Sequence, residues 1–461
     1  MSQQVVLGVD IGTTTTKAEA YTLEGRSIAS SRATTAWSVG RHGEAEMDVD
    51  RLTADVTQLL DQLAIDSGPD TSVLAIGIAG LAETGVVIDG RRQPKHAAMA
   101  WFDQRGAQQL EVMPRDVRES FSGVTGLARK AECSLSKLLW LRDEGLGFDA
   151  ADRWLNAQEY VAMRLTGEVA TEPSLASRTG LLAQDSQTPW DAALDLLGVG
   201  DAFVPERVSA GTPFGTVSGD GPERLRGAIV CVAGHDHLVG AVGSGALGAN
   251  ELFNSCGTAD VLVRSVPWAL DDAQRASLVA GGLSAGRHVL ADRNVVLGAT
   301  RFGLVLERVL TMLGASEPSQ RATLVDGWTG IDEVHERVSV SEPPNWANEV
   351  TIGLHDACTP EQVVSAAINY GLDMTRPLLA LIESVVGPSE EAIAGGGWSQ
   401  LSGVRRAKAT LMPGLRLSSA DQPGIRGAAV LAALSAGVRD QELTREVAHQ
   451  LTPSIQREID Q

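Results

Sequence analysis

The stretch GVDIGTTTTKA (residues 8–18) places one carboxylate, a glycine and four consecutive threonines at the end of an apolar strand. Gly12 permits a tight turn, and the threonines offer backbone N–H and hydroxyl donors that suit a polyphosphate. Asp10 could hold a divalent cation beside such a ligand, with Lys17 as a nearby positive charge. The alternative is a plain hairpin turn in which the threonines only favour β-structure.

A second stretch, VAGHDHLVGAVGSGAL (232–247), puts Asp236 between a predicted strand and a helix rich in small residues. Asp236 could accept the proton of a substrate hydroxyl during phosphoryl transfer, or it could simply cap the helix. His235 and His237 form a His-x-His pair, but no further carboxylate or cysteine is spaced to complete a metal site.

The third stretch, AIAGGGWSQ (392–400), follows a predicted strand with three glycines, a tryptophan and a serine. A flat ligand could lie on this backbone, or the glycines could serve only the close packing of a strand–helix turn. Alone, the pattern has little specificity.

Length and charge limit the classes of protein to consider. With 461 residues, two domains are expected. A net charge of −20 argues against a nucleic-acid or anionic-membrane surface, because both would be repelled. The four cysteines are far apart, and the first residues do not resemble a signal peptide. These features predict a cytoplasmic protein that binds neither nucleic acid nor membrane.

Apolar runs alternate with amphipathic stretches, which predicts an α/β fold with a domain boundary near residues 240–250. The predicted strands are 5–10, 73–80, 228–234, 251–257, 288–293 and 391–397. The predicted helices are 50–64, 136–145, 159–167 and 360–387, the last with a kink or break at Pro377. Residues 9–25 and 254–266 both indicate a strand, a Gly-Thr turn and a strand, which is either accidental or a trace of duplication.

These motifs, in this order, resemble the FGGY carbohydrate kinase family of the actin-like, ribonuclease-H-like ATPases. GIAGLAETGVVID (77–89), WFDQR (101–105), SKLLWLRDEG (136–145), LTGEVATEPSLASRTGLL (165–182) and SCGTAD (255–260) add to the resemblance. It implies two ribonuclease-H-like domains around a central cleft, a sugar-binding domain over 1–243 and a nucleotide-binding domain over 244–461. It also implies ATP and Mg²⁺ as cofactors, and a homodimer, since relatives are often dimers.

The resemblance assigns roles residue by residue. Asp236 matches the catalytic base, and Asp10 matches the metal-associated aspartate. Nucleotide contacts are implied for Gly12, Thr13, Thr14, Thr15, Lys17, Gly257, Thr258, Gly298, Gly396 and Gly397. Substrate contacts are implied for Glu83, Trp101, Asp103, Arg105 and His237.

The substrate is less determined than the reaction. Where xylulose kinases have Gln-Met-His and glycerol kinases have Arg-Glu, this chain has Leu81-Ala82-Glu83, which disfavours a sugar acid. The expectation is ATP-dependent phosphorylation of a pentulose such as xylulose, with glycerol, erythritol or a ketohexose as alternative acceptors. Two readings of other classes are an actin- or Hsp70-like ATPase module and a sugar sensor without catalysis. Asn369-Tyr370-Gly371 replaces the family's usual Glu-Gly, without an evident consequence.

Overall fold

The computed structural model describes residues 3–41, 43–328, 330, 337–342, 349–418 and 420–438. Contacts along the chain divide it into two compact units. The first contains the described parts of Met1–Gly243, Val266–Val295 and Gln422–Ala448, and the second contains those of Ser244–Ser265 and Val296–Asp421. The chain therefore passes from the first unit to the second and back twice.

The strands are numbered in chain order. Those before residue 243 are β1 (Gln3–Ile11), β2 (Thr15–Thr22), β3 (Ser27–Thr34), β4 (Ser38–Val39), β5 (Ala45–Met47), β6 (Thr71–Gly80), β7 (Gly85–Ile88), β8 (Ala98–Met99), β9 (Arg153–Asn156), β10 (Leu182–Ala183), β11 (Thr188–Pro189), β12 (Gly215–Thr216) and β13 (Ile229–His235). The later strands are β14 (Glu251–Cys256), β15 (Asp260–Val266), β16 (Ser284–Arg287), β17 (Asn294–Thr300), β18 (Val338–Ser341), β19 (Thr351–Leu354), β20 (Glu391–Gly395) and β21 (Arg416–Leu417).

The α-helices are also numbered in chain order, and three short 3₁₀ turns accompany them. The helices are α1 (Val49–Asp66), α2 (Ala107–Glu111), α3 (Arg115–Thr125), α4 (Ser134–Asp143), α5 (Ala157–Thr166), α6 (Pro173–Ala176), α7 (Asp191–Leu197), α8 (Asp236–Gly243), α9 (Asp272–Ala280), α10 (Phe302–Met312), α11 (Pro318–Asp326), α12 (Pro360–Val386), α13 (Ser402–Leu411) and α14 (Pro423–Ser435). The 3₁₀ turns are Asp201–Phe203, Glu223–Leu225 and Gly397–Gln400.

The main sheet of the first unit has the strand order β12-β13-β6-β1-β2-β3. β1, β6 and β13 are parallel, and β2 and β3 continue from β1 as an antiparallel meander. The apolar residues of β1, β6 and β13 enter one buried cluster together with those of α1 and α5. Because the three central strands are parallel, their carboxyl ends meet at one edge of the sheet.

Helix α14 packs on this sheet at positions where the chain has glycines. A Cβ at Gly8 on β1 would lie 2.1 Å from the Ile425 carbonyl oxygen, and one at Gly77 on β6 would lie 2.0 Å from that of Ala428. A Cβ at Gly243 of α8 would lie 1.9 Å from the carbonyl oxygen of Pro423. Only glycine permits such an approach of backbone to backbone.

The sheet of the second unit repeats this plan. This second six-stranded sheet has the order β16-β17-β15-β14-β20-β21, with β14 and β15 antiparallel and β20 and β21 added in parallel. The pair β14–β15 thus takes the place that β1–β2 has in the first sheet, and β20 the place of β6. The two Gly-Thr turns occupy equivalent positions in the two sheets, which favours the interpretation of the repeated pattern as a trace of duplication.

Five of the six predicted strands and all four predicted helices are present. The strand predicted over 288–293 is wrong: these residues form the turn between β16 and β17, where Asp292 adopts a φ of 57°. The helix predicted to kink or break at Pro377 runs unbroken through it as α12. Pro377 and Asp373 are both exposed, so water can satisfy the carbonyl that the proline leaves unbonded. None of the described helices has the length and apolar character needed to span a bilayer.

Candidate active site

The carboxyl edge of the first sheet brings two aspartates together. Asp10 near the end of β1 and Gly234 near the end of β13 both align with Ala79 on the strand between them. Asp236 follows as the first residue of α8. The two carboxylates are close enough for the charge of Asp236 to raise the pKa of Asp10.

Asp10 is a carboxylate in an unusually demanding position. Its Oδ1 is buried without a hydrogen-bond partner among the described residues, and burial is the main cause that raises its pKa to about 7. Lys17, its register partner on β2, acts in the opposite direction. A Cβ at Gly424 would lie 2.7 Å from Oδ2, so the carboxylate also faces the first turn of α14.

This environment fits a divalent cation. Mg²⁺ usually takes one or two protein carboxylates and fills its remaining positions with water and phosphate oxygens. An orphaned carboxylate oxygen with a second carboxylate nearby is such a donor set. Among the described residues there is no cluster of three or more His, Cys, Asp or Glu side chains that could hold a metal, so the His-x-His pair remains without a third ligand.

Asp236 is held in a fixed orientation by its two histidine neighbours. Its Oδ1 accepts the backbone N–H of His237 at 2.7 Å and lies 3.1 Å from Nδ1 of His235. Although burial acts to raise its pKa, the charges and hydrogen bonds of the two histidines hold that pKa well below the usual range. The side chain is still 27% exposed, so an ionised carboxylate is available to a ligand.

A buried polar chain supports the end of β13 behind Asp236. The His235 N–H donates to Ser174 Oγ at 3.1 Å, and Ser174 Oγ donates to Glu172. Burial raises the pKa of Glu172 to about 8. The Glu172 N–H in turn donates to Glu159 at 2.8 Å. Sequence reasoning missed these residues, because only the fold brings them behind the strand.

The threonine stretch forms the predicted turn between β1 and β2. Its backbone carbonyl groups are occupied: Thr35 Oγ1 donates to Gly12 at 2.8 Å, Trp37 Nε1 to Thr13 at 2.6 Å, and the Thr35 N–H to Thr14 at 3.0 Å. Lys17 Nζ donates to Gln422 Oε1, just before α14, at 3.0 Å. The turn is thus anchored through its carbonyl side.

Glu83 lies in the turn after β6 with a φ of 63°, a left-handed conformation that is rare outside glycine. Its Oε1 accepts Nε of Arg178 at 2.7 Å. The His237 ring is near both residues. Burial is the main cause of its lowered pKa, and the charges of Glu83 and Arg178 act on it in opposite directions.

The WFDQR residues have different environments. Trp101 is 37% exposed, and its Nε1 lies 3.3 Å from Thr13 Oγ1, so it borders the threonine turn. Asp103 and Arg105 are paired with each other at 2.7 Å. Asp103 is buried and also accepts the Ala45 N–H at 2.9 Å, so this pair braces the segment around Trp101.

The second unit gathers most of its predicted nucleotide residues at the carboxyl edge of its own sheet. Gly257 and Thr258 form the turn between β14 and β15, and a Cβ at Gly396 would lie 2.7 Å from the Cys256 carbonyl oxygen. Nothing lies within 4 Å of a Cβ built at Gly397, so its backbone is open. Gly298 differs from these, since it is a buried residue within β17.

Comparison with known proteins decides the family. The sequence model of the N-terminal domain of the FGGY family of carbohydrate kinases matches residues 5–243, about half of the chain. The chain belongs to the FGGY family. Its members are phosphotransferases that act on sugar hydroxyls, so this protein is a sugar or polyol kinase, and ATP is the substrate that a kinase of this family implies.

Several FGGY proteins resemble the chain over most of its length. A glycerol kinase from Thermococcus gammatolerans is 24% identical over 71% of this chain and 67% of its own. One from Thermus brockianus is 31% identical over 60% of this chain and 57% of its own. The fold matches a xylulose kinase from Rhodospirillum rubrum (TM-score 0.83, 20% identity, 98% and 93% of the two chains). It also matches Plasmodium falciparum glycerol kinase with ADP (TM-score 0.84, 17% identity, 98% and 94%).

The match to the FGGY sequence model ends at Gly243, where the chain first leaves the first unit.

Asn369, which replaces a residue usual in the family, has a structural role in α12. Its Oδ1 accepts a hydrogen bond from Nε1 of Trp328 at 2.9 Å, and both side chains are buried. Position 371, two residues later, accommodates only glycine, because a Cβ there would lie 1.9 Å from the ring of Phe302.

Proposed function

We propose that this protein transfers the γ-phosphoryl group of ATP to a hydroxyl of a small neutral polyol or ketose, with Asp236 as the base. The observation that carries the proposal is the state of Asp236. It is an ionised, partly exposed carboxylate with a fixed orientation at the carboxyl edge of a parallel sheet, and it lies beside His237, whose ring is in turn near Glu83. Ligands of open α/β sheets bind at such edges.

In this proposal the acceptor hydroxyl donates its hydrogen bond to Asp236. The low pKa keeps the carboxylate ready to accept at neutral pH, and the two histidine contacts fix the direction of approach. The carboxylate first orients the hydroxyl and takes its proton as the hydroxyl oxygen bonds to the γ-phosphorus, while the bond from that phosphorus to the β–γ bridging oxygen breaks and ADP leaves. Glu83, His237 and Trp101 supply further contacts to the acceptor.

Nucleotide contacts are proposed for each unit by itself. The N–H and hydroxyl groups of Thr13, Thr14 and Thr15, with Lys17, bind phosphate oxygens from the anchored turn of the first unit. In the second unit, Gly257 and Thr258 provide the equivalent turn, and the open backbone of Gly396 and Gly397 receives the adenosine. Gly298, inside β17, would contribute through the backbone alone.

Asp10 would hold Mg²⁺, with Asp236 as the nearby second negative charge. When bound, the cation neutralises charge on the β- and γ-phosphates. The protein contributes the Asp10 carboxylate, whose buried Oδ1 has no hydrogen-bond partner among the described residues. This carboxylate is positioned by β1 and lies next to the first turn of α14.

Glycerol and D-xylulose are the first acceptors to test. The relatives named above are glycerol kinases, and the fold also matches a xylulose kinase. Glu83 resembles the glutamate of the Arg-Glu pair that the family resemblance implies for glycerol kinases. ADP release should be measured with ATP and Mg²⁺ over C3–C5 polyols, pentuloses and ketohexoses. We expect at least one neutral acceptor to raise ADP release well above the acceptor-free rate. Equal ADP release with and without every acceptor would contradict the proposal and favour an ATPase module.

A further inference from the structure

The structure pairs Glu83 with Arg178, a residue 95 positions later in the chain. Arg178 follows the short helix α6, and its Nε donates to Glu83 Oε1 at 2.7 Å. Its Nη1 donates to Ser284 Oγ at 2.7 Å on β16, so the guanidinium is fixed from two sides. Both partners belong to the first unit.

The pair keeps hydrogen-bonding capacity for a ligand. Within the described part of the chain, Glu83 Oε2 and Arg178 Nη2 have no hydrogen-bond partner. The side chains are 10% and 18% exposed, so these atoms are neither sealed in the core nor freely solvated. One acceptor atom and one donor atom therefore remain on an ion pair that carries no net charge.

The backbone around both residues is held in place. Glu83 keeps its left-handed φ of 63° while its carbonyl accepts Ser134 Oγ at 3.2 Å. On the other side, the Ser177 hydroxyl accepts the Arg287 N–H of β16 at 3.2 Å, and the Arg178 N–H is bonded to the Leu175 carbonyl at 3.0 Å. A strained residue and a doubly anchored partner are typical of a functional contact rather than of a surface ion pair.

We propose that Arg178 is a specificity-determining residue of the acceptor site, where it and Glu83 together bind two adjacent hydroxyls of a neutral substrate. One hydroxyl donates to Glu83 Oε2, and its neighbour accepts from Arg178 Nη2. A hydroxyl pair can bond to the acceptor and the donor at once, whereas a substrate lacking one of the two hydroxyls leaves either Glu83 Oε2 or Arg178 Nη2 without a hydrogen bond. This inference rests on the proposed function, since it concerns the acceptor of the same reaction.

The test compares acceptors that differ by one hydroxyl in the wild type and in Arg178→Met. The pairs are glycerol with propane-1,3-diol and D-xylulose with 3-deoxy-D-glycero-pentulose, which lacks one of two adjacent hydroxyls, and kcat, KM for the acceptor and KM for ATP are measured for each. We expect the wild type to prefer the complete acceptor of one pair by at least about 10-fold in kcat/KM. Arg178→Met should remove most of that preference, chiefly through the acceptor KM, with the KM for ATP within about 2-fold of the wild type.

Two further variants keep the test decisive. Arg178→Lys retains the positive charge but lacks the planar guanidinium, so it should show part of the wild-type preference that Arg178→Met loses. If Arg178→Met folds poorly, Arg178→Lys tests the same contact. Arg115→Met changes an exposed arginine of α3 that, within the described part of the chain, forms an ion pair with Glu119 of its own helix, and should leave all constants unchanged.

The outcomes separate the two proposals. If the wild type is active but the loss in Arg178→Met is equal for both members of each pair, Arg178 only anchors Glu83, and the inference is overturned while the kinase proposal stands. If the wild type releases no acceptor-dependent ADP, the proposed function fails and this inference fails with it.

Discussion

Asp10 and Gly234 align with the same residue, Ala79, on the strand that separates β1 from β13. This register explains why two carboxylates more than 220 positions apart come together at one sheet edge: Asp10 is in the aligned row and Asp236 is two residues beyond it. Opposite requirements follow for the two groups. Asp10 has a buried oxygen without a hydrogen-bond partner among the described residues, whereas Asp236 is oriented by hydrogen bonds and held ionised.

Replacing Asp236 with Asn should abolish most of the acceptor-dependent turnover. The amide keeps the size of the side chain but cannot take a proton, so we expect kcat to fall by about 10²–10⁴-fold with little change in the KM for ATP. The rate is measured as ADP release with the best acceptor, and thermal unfolding verifies the fold. Asp195→Asn, at an exposed position of α7, is the matched control. Near-normal turnover in Asp236→Asn would leave this residue with a structural role only.

Replacing Asp10 with Asn should separate cation binding from stability. Without a metal, the variant loses a buried charge beside Asp236, so its free energy of unfolding should equal or exceed that of the wild type, by up to about 3 kcal/mol. The Mg²⁺ concentration for half-maximal turnover should rise by at least about 10-fold. Chemical denaturation in EDTA and a Mg²⁺ titration of ADP release measure the two effects. An unchanged Mg²⁺ midpoint would argue against Asp10 as the cation ligand.

Alanine at the two neighbouring glycines of the second unit should have contrasting effects. Gly396 has a φ of 103°, and a Cβ added there would lie 2.7 Å from the Cys256 carbonyl oxygen. Gly396→Ala should therefore lower the free energy of unfolding by about 1–3 kcal/mol. A Cβ at Gly397 meets nothing within 4 Å, so Gly397→Ala should keep the stability of the wild type but raise the KM for ATP several-fold. Unfolding curves and ATP saturation curves provide the comparison. If the KM for ATP does not change in Gly397→Ala, the adenosine does not lie on that backbone.

His288 should make the protein sensitive to acid. Burial is the main cause that lowers its pKa to about 3, and its Nδ1 accepts the Leu290 N–H at 3.0 Å, which requires the neutral ring. A histidine whose pKa is depressed by folding contributes stability above its unfolded pKa of about 6.5 and loses it as the pH falls towards the folded value. Between pH 8 and pH 5 the wild type should therefore lose about 2 kcal/mol relative to His288→Asn.

The measurement is the free energy of unfolding against pH for the wild type and His288→Asn. The slopes, not the absolute values, are compared, because a change in packing shifts the whole curve by the same amount at every pH. His355→Asn, at an exposed position, should keep the slope of the wild type. Parallel curves for the wild type and His288→Asn would exclude the effect.

The strand ends and their motifs could be predicted from the sequence because apolar runs that stop at Asp10, Gly234 and Gly395 are local signals. The segment 288–293 was misassigned because Val289 and Leu290 look like a strand, whereas the left-handed Asp292 makes a turn. Local periodicity gives no information on such a turn without a glycine or proline to indicate it.

The contacts between residues far apart in the sequence could not be predicted from local sequence patterns. This chain has Ala82 where glycerol kinases are expected to have an arginine, and the structure shows that Arg178 contacts Glu83 from a separate segment. Ser174 and Trp37 were missed for the same reason, since each acts on a residue of a different strand or turn. Only the parallel register and the return of the chain through β16 bring these groups together.

The close packing of α14 against Gly8, Gly77 and Gly243 has a consequence for biosynthesis. During translation the first 243 residues leave the ribosome long before residues 423–435 are made. The glycine surface that packs against α14 therefore stays exposed in the nascent chain. The first unit therefore cannot reach its final form until residues 423–435 have been made, although it holds the first residues of the chain. Its completion must wait for the last helix that the structure describes.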